Sequence, residues 1–456
     1  MNSPAQKVGE VLSLIYSVVK WFALALVAGV LVGATAALFL KLLESGRREV
    51  LARPSTLRYL LLPLGLWASA LLVAKLAPEA KGHGTEKVIE AVHKRSGRIA
   101  LSVIPVKLVA TLITLSVGGS AGKEGPCAQI GAGITSALAS LLRFGDEDRK
   151  KLVICGISAG FAAIFGTPVA GAIFGIEVLF IGQMFYDVML PSFVSGIAAY
   201  HTATLLGITY PDELLRAVPD LSGGYLLWGL AAGCFFGLVA LAHIEILGLT
   251  ERFFERLRLR GWQKPLLGGA LLLGATALFG PRYLGLGTET IESALRGEAV
   301  PHGAFALKSL LTGITLSCGG SGGIVTPTLF VGAAAGSFFS SLSGLDPLFC
   351  AAVGLPAVLA GAANTPVAAT IMAMELFGAR LAPFAALACI VAFVISGHRS
   401  VYPSQILARP KSKILLVDKA CPVDESSLRR RTSDLLLVRL WYYGKRLILR
   451  TKRPSR

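Results

Sequence analysis

Charge is what this sequence has little of. Charged residues make up 16% of its 456 residues and hydrophobic ones 54%, against roughly 25% and 45–50% in a soluble domain. With a mean hydropathy of +0.67, this shortage excludes a water-soluble globular chain. Metal-type cysteine spacing is also missing. The seven cysteines, at 127, 155, 234, 318, 350, 389 and 421, lie mostly in apolar sequence and read as small apolar side chains, not ligands or a disulfide framework. A cleavable signal is not evident, because the first apolar run follows an amphipathic opening and exceeds an h-region of about 7–15 residues. A phosphate-binding loop of the form G-x-x-x-x-G-K-[ST] is absent too. At the one glycine-lysine that suggests it, Lys123 is followed by Glu124 and the position five before Gly122 is Val117, so both the spacing and the magnesium-binding hydroxyl fail.

What is present is apolar sequence long enough to span a bilayer, which takes about 20 helical residues. "WFALALVAGVLVGATAALFLKLL" and "LRYLLLPLGLWASALLVAKLA" qualify. Later segments such as "VICGISAGFAAIF", "TPVAGAIFGIEVLFIG" and "TPTLFVGAAAGSFFSSL" are short and bounded by Gly or Pro, the pattern of broken helices packed inside protein. The fold class expected is an all-α polytopic membrane protein. The net charge of +17 is concentrated late, with 14 Lys and Arg from Arg409 onward. Beside a last membrane segment, this basic tail follows the positive-inside rule and places the tail in the cytoplasm, touching anionic lipid and not nucleic acid.

An internal repeat organises the chain. "KLVATLITLSVGGSAGKEGP" (107–126) matches "KSLLTGITLSCGGSGGIVTP" (308–327) at a constant offset, and "TPVAGAIFGIEV" from Thr167 matches "TPVAATIMAMEL" from Thr365, bringing Glu177 onto Glu375. Paired Gly/Pro-interrupted segments in two halves point to a transporter site at the repeat interface. The expected layout is a cytoplasmic segment 1–19 and a transmembrane region 20–403, followed by a short basic tail 404–456. The transmembrane region divides into one repeat of about 20–215 and a second of about 216–403.

Within each repeat the glycines break one helix and allow another to start, with Pro126 suited to a first helical turn. A helix N-terminus carries free N–H groups and the positive dipole end, so it attracts an anion. Two such N-termini should converge on one site. Glu124 then acts as a tethered substitute anion that protonation neutralises and releases. The alternative is an intramembrane glutamate held by a neighbouring donor.

Together, "GKEGP", "GGIVTP", the Thr-Pro-Val-Ala helix ending in Glu177, and "SVYPSQILAR" resemble the CLC family of chloride channels and proton-coupled anion exchangers, from about residue 20 to 410. The resemblance implies a homodimer of two-repeat subunits, each with its own anion pathway. It also implies that Glu124 is the gating and proton-carrying residue, with Gly122, Lys123 and Gly125 in its motif. Gly323 and the amides of Ile324 and Val325 would hold the central anion, with Tyr402 as the inner gate.

Three departures qualify it. Where the family often has Gly-Ser-Gly-Ile-Pro, this chain has Gly82, His83, Gly84, Thr85 and Glu86. Either His83 donates to the anion, or it points away while backbone amides bind. Val325 stands where the family places Phe, a motif at which some fluoride-exporting members differ. Val178 stands where exchangers often carry an inner proton-transferring glutamate, and Glu177 lies one residue earlier, about 100° around the helix. The tail is too short for paired CBS domains. The expected activity is therefore transport of chloride or a similar small anion, leaning to a proton-gated channel. Chloride/proton antiport is the alternative, with fluoride or nitrate as other ions. No catalytic residue, metal or cofactor is expected, and an intramembrane enzyme or nucleotide-driven pump is the disfavoured class. The expected location is the plasma membrane of a prokaryote, crossed several times.

Overall fold

The computed structural model describes residues 4–210, 224–412, 415–417, 421–425 and 428–430. Eight α-helices lie in the first half: α1 Pro4–Leu51, α2 Ser55–Leu76, α3 Thr85–Lys94, α4 Val103–Ser116, α5 Glu124–Leu141, α6 Asp146–Phe165, α7 Pro168–Glu177 and α8 Met189–Leu205. Eight follow in the second: α9 Tyr225–Arg256, α10 Gln263–Phe279, α11 Thr288–Leu295, α12 Ala304–Ser317, α13 Val325–Ser343, α14 Pro347–Ala363, α15 Pro366–Phe377 and α16 Ala382–Ile395. The position near 215 and the tail stretch 433–450 lie outside the described residues.

Helices α1, α2, α9 and α13 are long and apolar enough to cross a bilayer, whereas α4, α7, α12, α14 and α15 are apolar but shorter. Of the short ones, α14 is sheltered by protein, buried from Phe349 to Ala363, as expected where lipid could not satisfy a helix end. Helix α1 runs unbroken from Pro4 to Leu51, because no proline interrupts the chain between Pro4 and Pro54.

Matching contacts in the two halves reveal the inverted repeat. Helix α5 packs on α6 as α13 packs on α14, and α1 on α8 as α9 on α16. Ser120 N donates to Thr315 Oγ1 at 3.1 Å, and Ser321 N donates to Thr114 Oγ1 at 3.0 Å. Buried Lys107 donates to the carbonyls of Ala80 (3.0 Å) and Gly82 (2.5 Å), while Lys308 donates to those of Tyr283 (3.1 Å) and Gly285 (2.8 Å). In surroundings without water, each ammonium needs such acceptors. Close crossings depend on glycine. A Cβ at Gly131 would lie 2.4 Å from the Gly156 carbonyl, and one at Gly332 would lie 2.5 Å from that of Gly354. Small residues let membrane helices approach backbone to backbone.

Two short strands connect the halves near the tail. β1 (Phe180–Ile181) pairs in parallel with β2 (Ile406–Leu407), Phe180 opposite Ile406. This fixes the segment after Tyr402 against the segment after Val178.

Candidate functional site

Helix α4 ends at Ser116 and α12 at Ser317. Gly118 and Gly319, with φ of 99° and 112°, then turn the chain through conformations that favour glycine. Six to eight residues on, α5 begins at Glu124 and α13 at Val325. Gly122 and Gly323 join the two starts: Gly122 N donates to Gly323 O at 2.7 Å and Gly323 N to Gly122 O at 2.6 Å. The two N-termini therefore converge. One expectation changes, because the N–H groups of Gly122 and Gly323 bond each other and are not available to an anion.

Glu124 is 1% exposed and reaches across to the second repeat. Its Oε2 accepts the Thr326 N–H at 3.1 Å, and its Oε1 accepts the Thr326 hydroxyl. The first N–H groups of a helix have no intrahelical acceptor, so the carboxylate sits on the charge-seeking end of α13. Gly122 makes room for it, since a Cβ there would lie 2.5 Å from Oε2. Ile324 caps α13 and Val325 is its first residue, both buried. Lys123 caps α5 and has Glu124, Arg47 and Glu44 as its charged neighbours, the latter two on α1.

A third segment closes the site. Gly125 packs under the His83 carbonyl, which a Cβ on Gly125 would meet at 2.2 Å. The His83 ring lies 6.0 Å from that of Tyr402, and its Nδ1 is buried with no hydrogen-bond partner among the described residues. Tyr402 is 1% exposed, and its hydroxyl is hydrogen-bonded to the Thr85 side chain at the start of α3. The structure thus brings His83, Glu124, Ile324, Val325 and Tyr402 to one place.

Glu177 is positioned differently. Its two oxygens accept the N–H groups of Val367 (3.1 Å) and Ala368 (2.8 Å) at the start of α15, and Glu375 does the same for Val169 (3.0 Å) and Ala170 (2.8 Å) at the start of α7. Each glutamate caps the opposite repeat's helix, so both Glu177 oxygens are committed. Val178 is fully buried and apolar.

Three contributors had no sequence signal of their own. Thr326 holds Glu124. Gln405 holds the Tyr402 turn, with Nε2 donating to the carbonyls of Val178 (2.8 Å) and Ala363 (2.9 Å) and Oε1 accepting from Ser400 Oγ (2.6 Å). Glu86 accepts from Ser404 N at 2.9 Å and from the Ser404 hydroxyl.

Interlocked, inverted repeats with a buried carboxylate at the junction of two helix N-termini define a polytopic membrane transport protein. Residues 64–397 match the family described as "Voltage gated chloride channel". The chain is 34% identical over 409 residues to a "Chloride/fluoride channel protein" of Pseudomonas syringae pv. tomato, covering 88% of this chain and 90% of that protein. A solved "CLC-type fluoride/proton antiporter" superposes with a TM-score of 0.81 at 31% identity, covering 86% of this chain and 98% of the other. A "slow cyanobacterial Cl-/H+ antiporter" shares the fold, with a TM-score of 0.72 at 21% identity, covering 82% of this chain and 94% of the other. The chain belongs to the CLC family, whose members are integral membrane proteins that transport anions.

Proposed function

We propose that the chain exchanges a small anion for protons, with fluoride the first ion to test and chloride the second. The observation that carries this reading is the Glu124 carboxylate bonded to Thr326 at the start of α13. A carboxylate in that place competes with a free anion for the same donors, and it gives them up most readily when a proton neutralises it. Anion entry is thereby tied to proton uptake. Val178 removes one candidate proton carrier, which by itself points to a channel, but it does not open the site. The 31% identical fluoride/proton antiporter favours exchange.

Fluoride is supported by the donors gathered here. The Thr326 hydroxyl and N–H bond Glu124, and the Tyr402 hydroxyl, itself bonded to the Thr85 side chain, is within electrostatic reach of Glu124. Such O–H and N–H groups suit a small anion that accepts strong hydrogen bonds. In the same reading, Ile324 and Val325 supply backbone to the central anion and the subunits pair as a homodimer in a bacterial plasma membrane. The repeats divide near residue 215, and the tail from 404 is cytoplasmic and touches lipid.

The experiment is purified protein in liposomes, with external pH followed while fluoride or chloride runs down its gradient. Uphill proton movement lost in Glu124→Gln is the expected result. Anion flux with no proton movement would restore the channel reading.

A further inference from the structure

If the site exchanges anions for protons, as proposed above, the proton must also leave Glu124 toward the opposite face, and neither Glu177 nor Val178 offers a route. The former has both oxygens on helix N–H groups, and the latter does not titrate. Another titrating group near the site, Glu86, is neither fully buried nor exposed.

Glu86 is the second residue of α3, a charged ten-residue helix that is not among the membrane-crossing helices. It is half-buried. Its Oε1 takes both Ser404 donors, but its Oε2 is buried without a hydrogen-bond partner among the described residues. An unpartnered carboxylate oxygen in a buried position is costly unless it is protonated or meets water or an anion. Next to Glu86 in sequence is Thr85, which bonds the Tyr402 hydroxyl, and Tyr402 lies within electrostatic reach of both Glu86 and Glu124. The His83 Nδ1, also buried and unpartnered, belongs to the same cluster.

We infer that Glu86 is the proton donor and acceptor on the tail side of the pathway. Its Oε2 takes a proton from water at the mouth and becomes a neutral acid. It passes that proton inward, by way of water held between Oε2, the His83 ring and the Tyr402 hydroxyl, to the Glu124 carboxylate. Glu86 is left ionised to be reloaded, and no other bond is made or broken.

The electrostatics agree. Burial pushes the Glu86 carboxyl up from its ordinary value to about 7, with the Ser404 donors and Lys87 pulling it down and Asp424 pushing it up. Lys87 lies on its own helix and Asp424 on the turn Val423–Glu425. Helix α5 contributes Glu124, which acts on Tyr402. A carboxyl that titrates near neutral pH both loads and unloads rapidly. Asp424 and Ser404 also place Glu86 on the side of the membrane that carries the tail.

The test uses full-length protein in liposomes, with fluoride, chloride and proton fluxes recorded together for wild type, Glu86→Gln, Glu86→Asp and Glu124→Gln. Gln keeps an acceptor for Ser404 but cannot titrate. In Glu86→Gln, proton flux is expected to fall by about a hundredfold while anion flux persists, and Glu86→Asp should retain part of the coupling. Undiminished proton pumping by Glu86→Gln overturns the inference, as does a parallel loss of both fluxes, which marks a structural role. A wild-type protein that moves anions without protons overturns the exchange reading itself.

Discussion

Glu124 of the first repeat and Thr326 of the second are joined by two hydrogen bonds, one from the Thr326 N–H at 3.1 Å and one from its hydroxyl. The N–H belongs to the helix, whereas the hydroxyl belongs to this side chain alone, so Thr326→Val separates them. Both donors hold the carboxylate at the start of α13. Removing the hydroxyl leaves one hydrogen bond in place of two, so Glu124 should yield its place to an anion more readily and anion flux should rise. A hydrogen bond to a charged group contributes about 1.5–3 kcal/mol, so a rise of several-fold is expected after partial compensation by the N–H. Liposome flux on wild type and variant checks this. An unchanged flux would mean that the hydroxyl does not control the release of Glu124.

Gly122→Ala tests the site from the opposite side. The new methyl would meet Glu124 Oε2 at 2.5 Å, with Pro327 Cδ and the Thr326 nitrogen each at 3.1 Å. The backbone is engaged with Gly323 and cannot retreat, so the carboxylate must. The expected outcome is folded protein whose anion flux loses its pH dependence. Flux with a wild-type pH profile would show that the side chain keeps its place despite the methyl.

Much of this was legible in the chain because a repeat writes its contacts twice. Lys107 and Lys308, Glu177 and Glu375, and the two glycine clusters fall on one another in alignment, and each pair makes matching bonds, the lysines within their own halves and the glutamates and glycines across them. Glu124 stood out as the only acid in either cluster. Thr326, Gln405 and Glu86 did not stand out, because a lone threonine, glutamine or surface-type glutamate carries no periodicity. Their roles arise where segments 202 to 318 residues apart are brought together. The commitment of the Gly122 and Gly323 amides to each other also needed coordinates, since spacing gives the helix starts but not their mutual register.

The reciprocal caps make a prediction that separates structure from proton transfer. Glu177→Ala leaves two N–H groups at the start of α15 without their acceptors, and Glu375→Ala does so at α7. Each substitution should lower the thermal unfolding midpoint in detergent, with a loss of about 1.5–3 kcal/mol per charged hydrogen bond. Glu177→Gln keeps one acceptor oxygen, so it should recover part of that stability and pump protons as wild type does. Selective loss of proton flux in Glu177→Gln would return Glu177 to the pathway.

Lys411 sets where the tail can be cut. Its ammonium is buried near the C-terminal end of α14 and donates to Asn364 Oδ1 at 2.5 Å, the Phe393 carbonyl at 2.6 Å and Ser396 Oγ at 3.2 Å, over the Phe393 ring. Asn364 in turn donates to Gln405, the residue that holds the Tyr402 turn. Lys411→Met removes three donors together and leaves those acceptors buried without them, which costs about 1–3 kcal/mol for each unsatisfied group. Because Asn364 then loses one partner and keeps only the Arg399 carbonyl and Gln405, the Tyr402 turn should loosen as well. The expected result is a lower unfolding midpoint together with reduced anion flux, whereas removal of residues beyond 430 should leave anion flux largely intact. Full flux in Lys411→Met at a temperature where it remains folded would show that the Tyr402 turn is held by Gln405 without help from the tail.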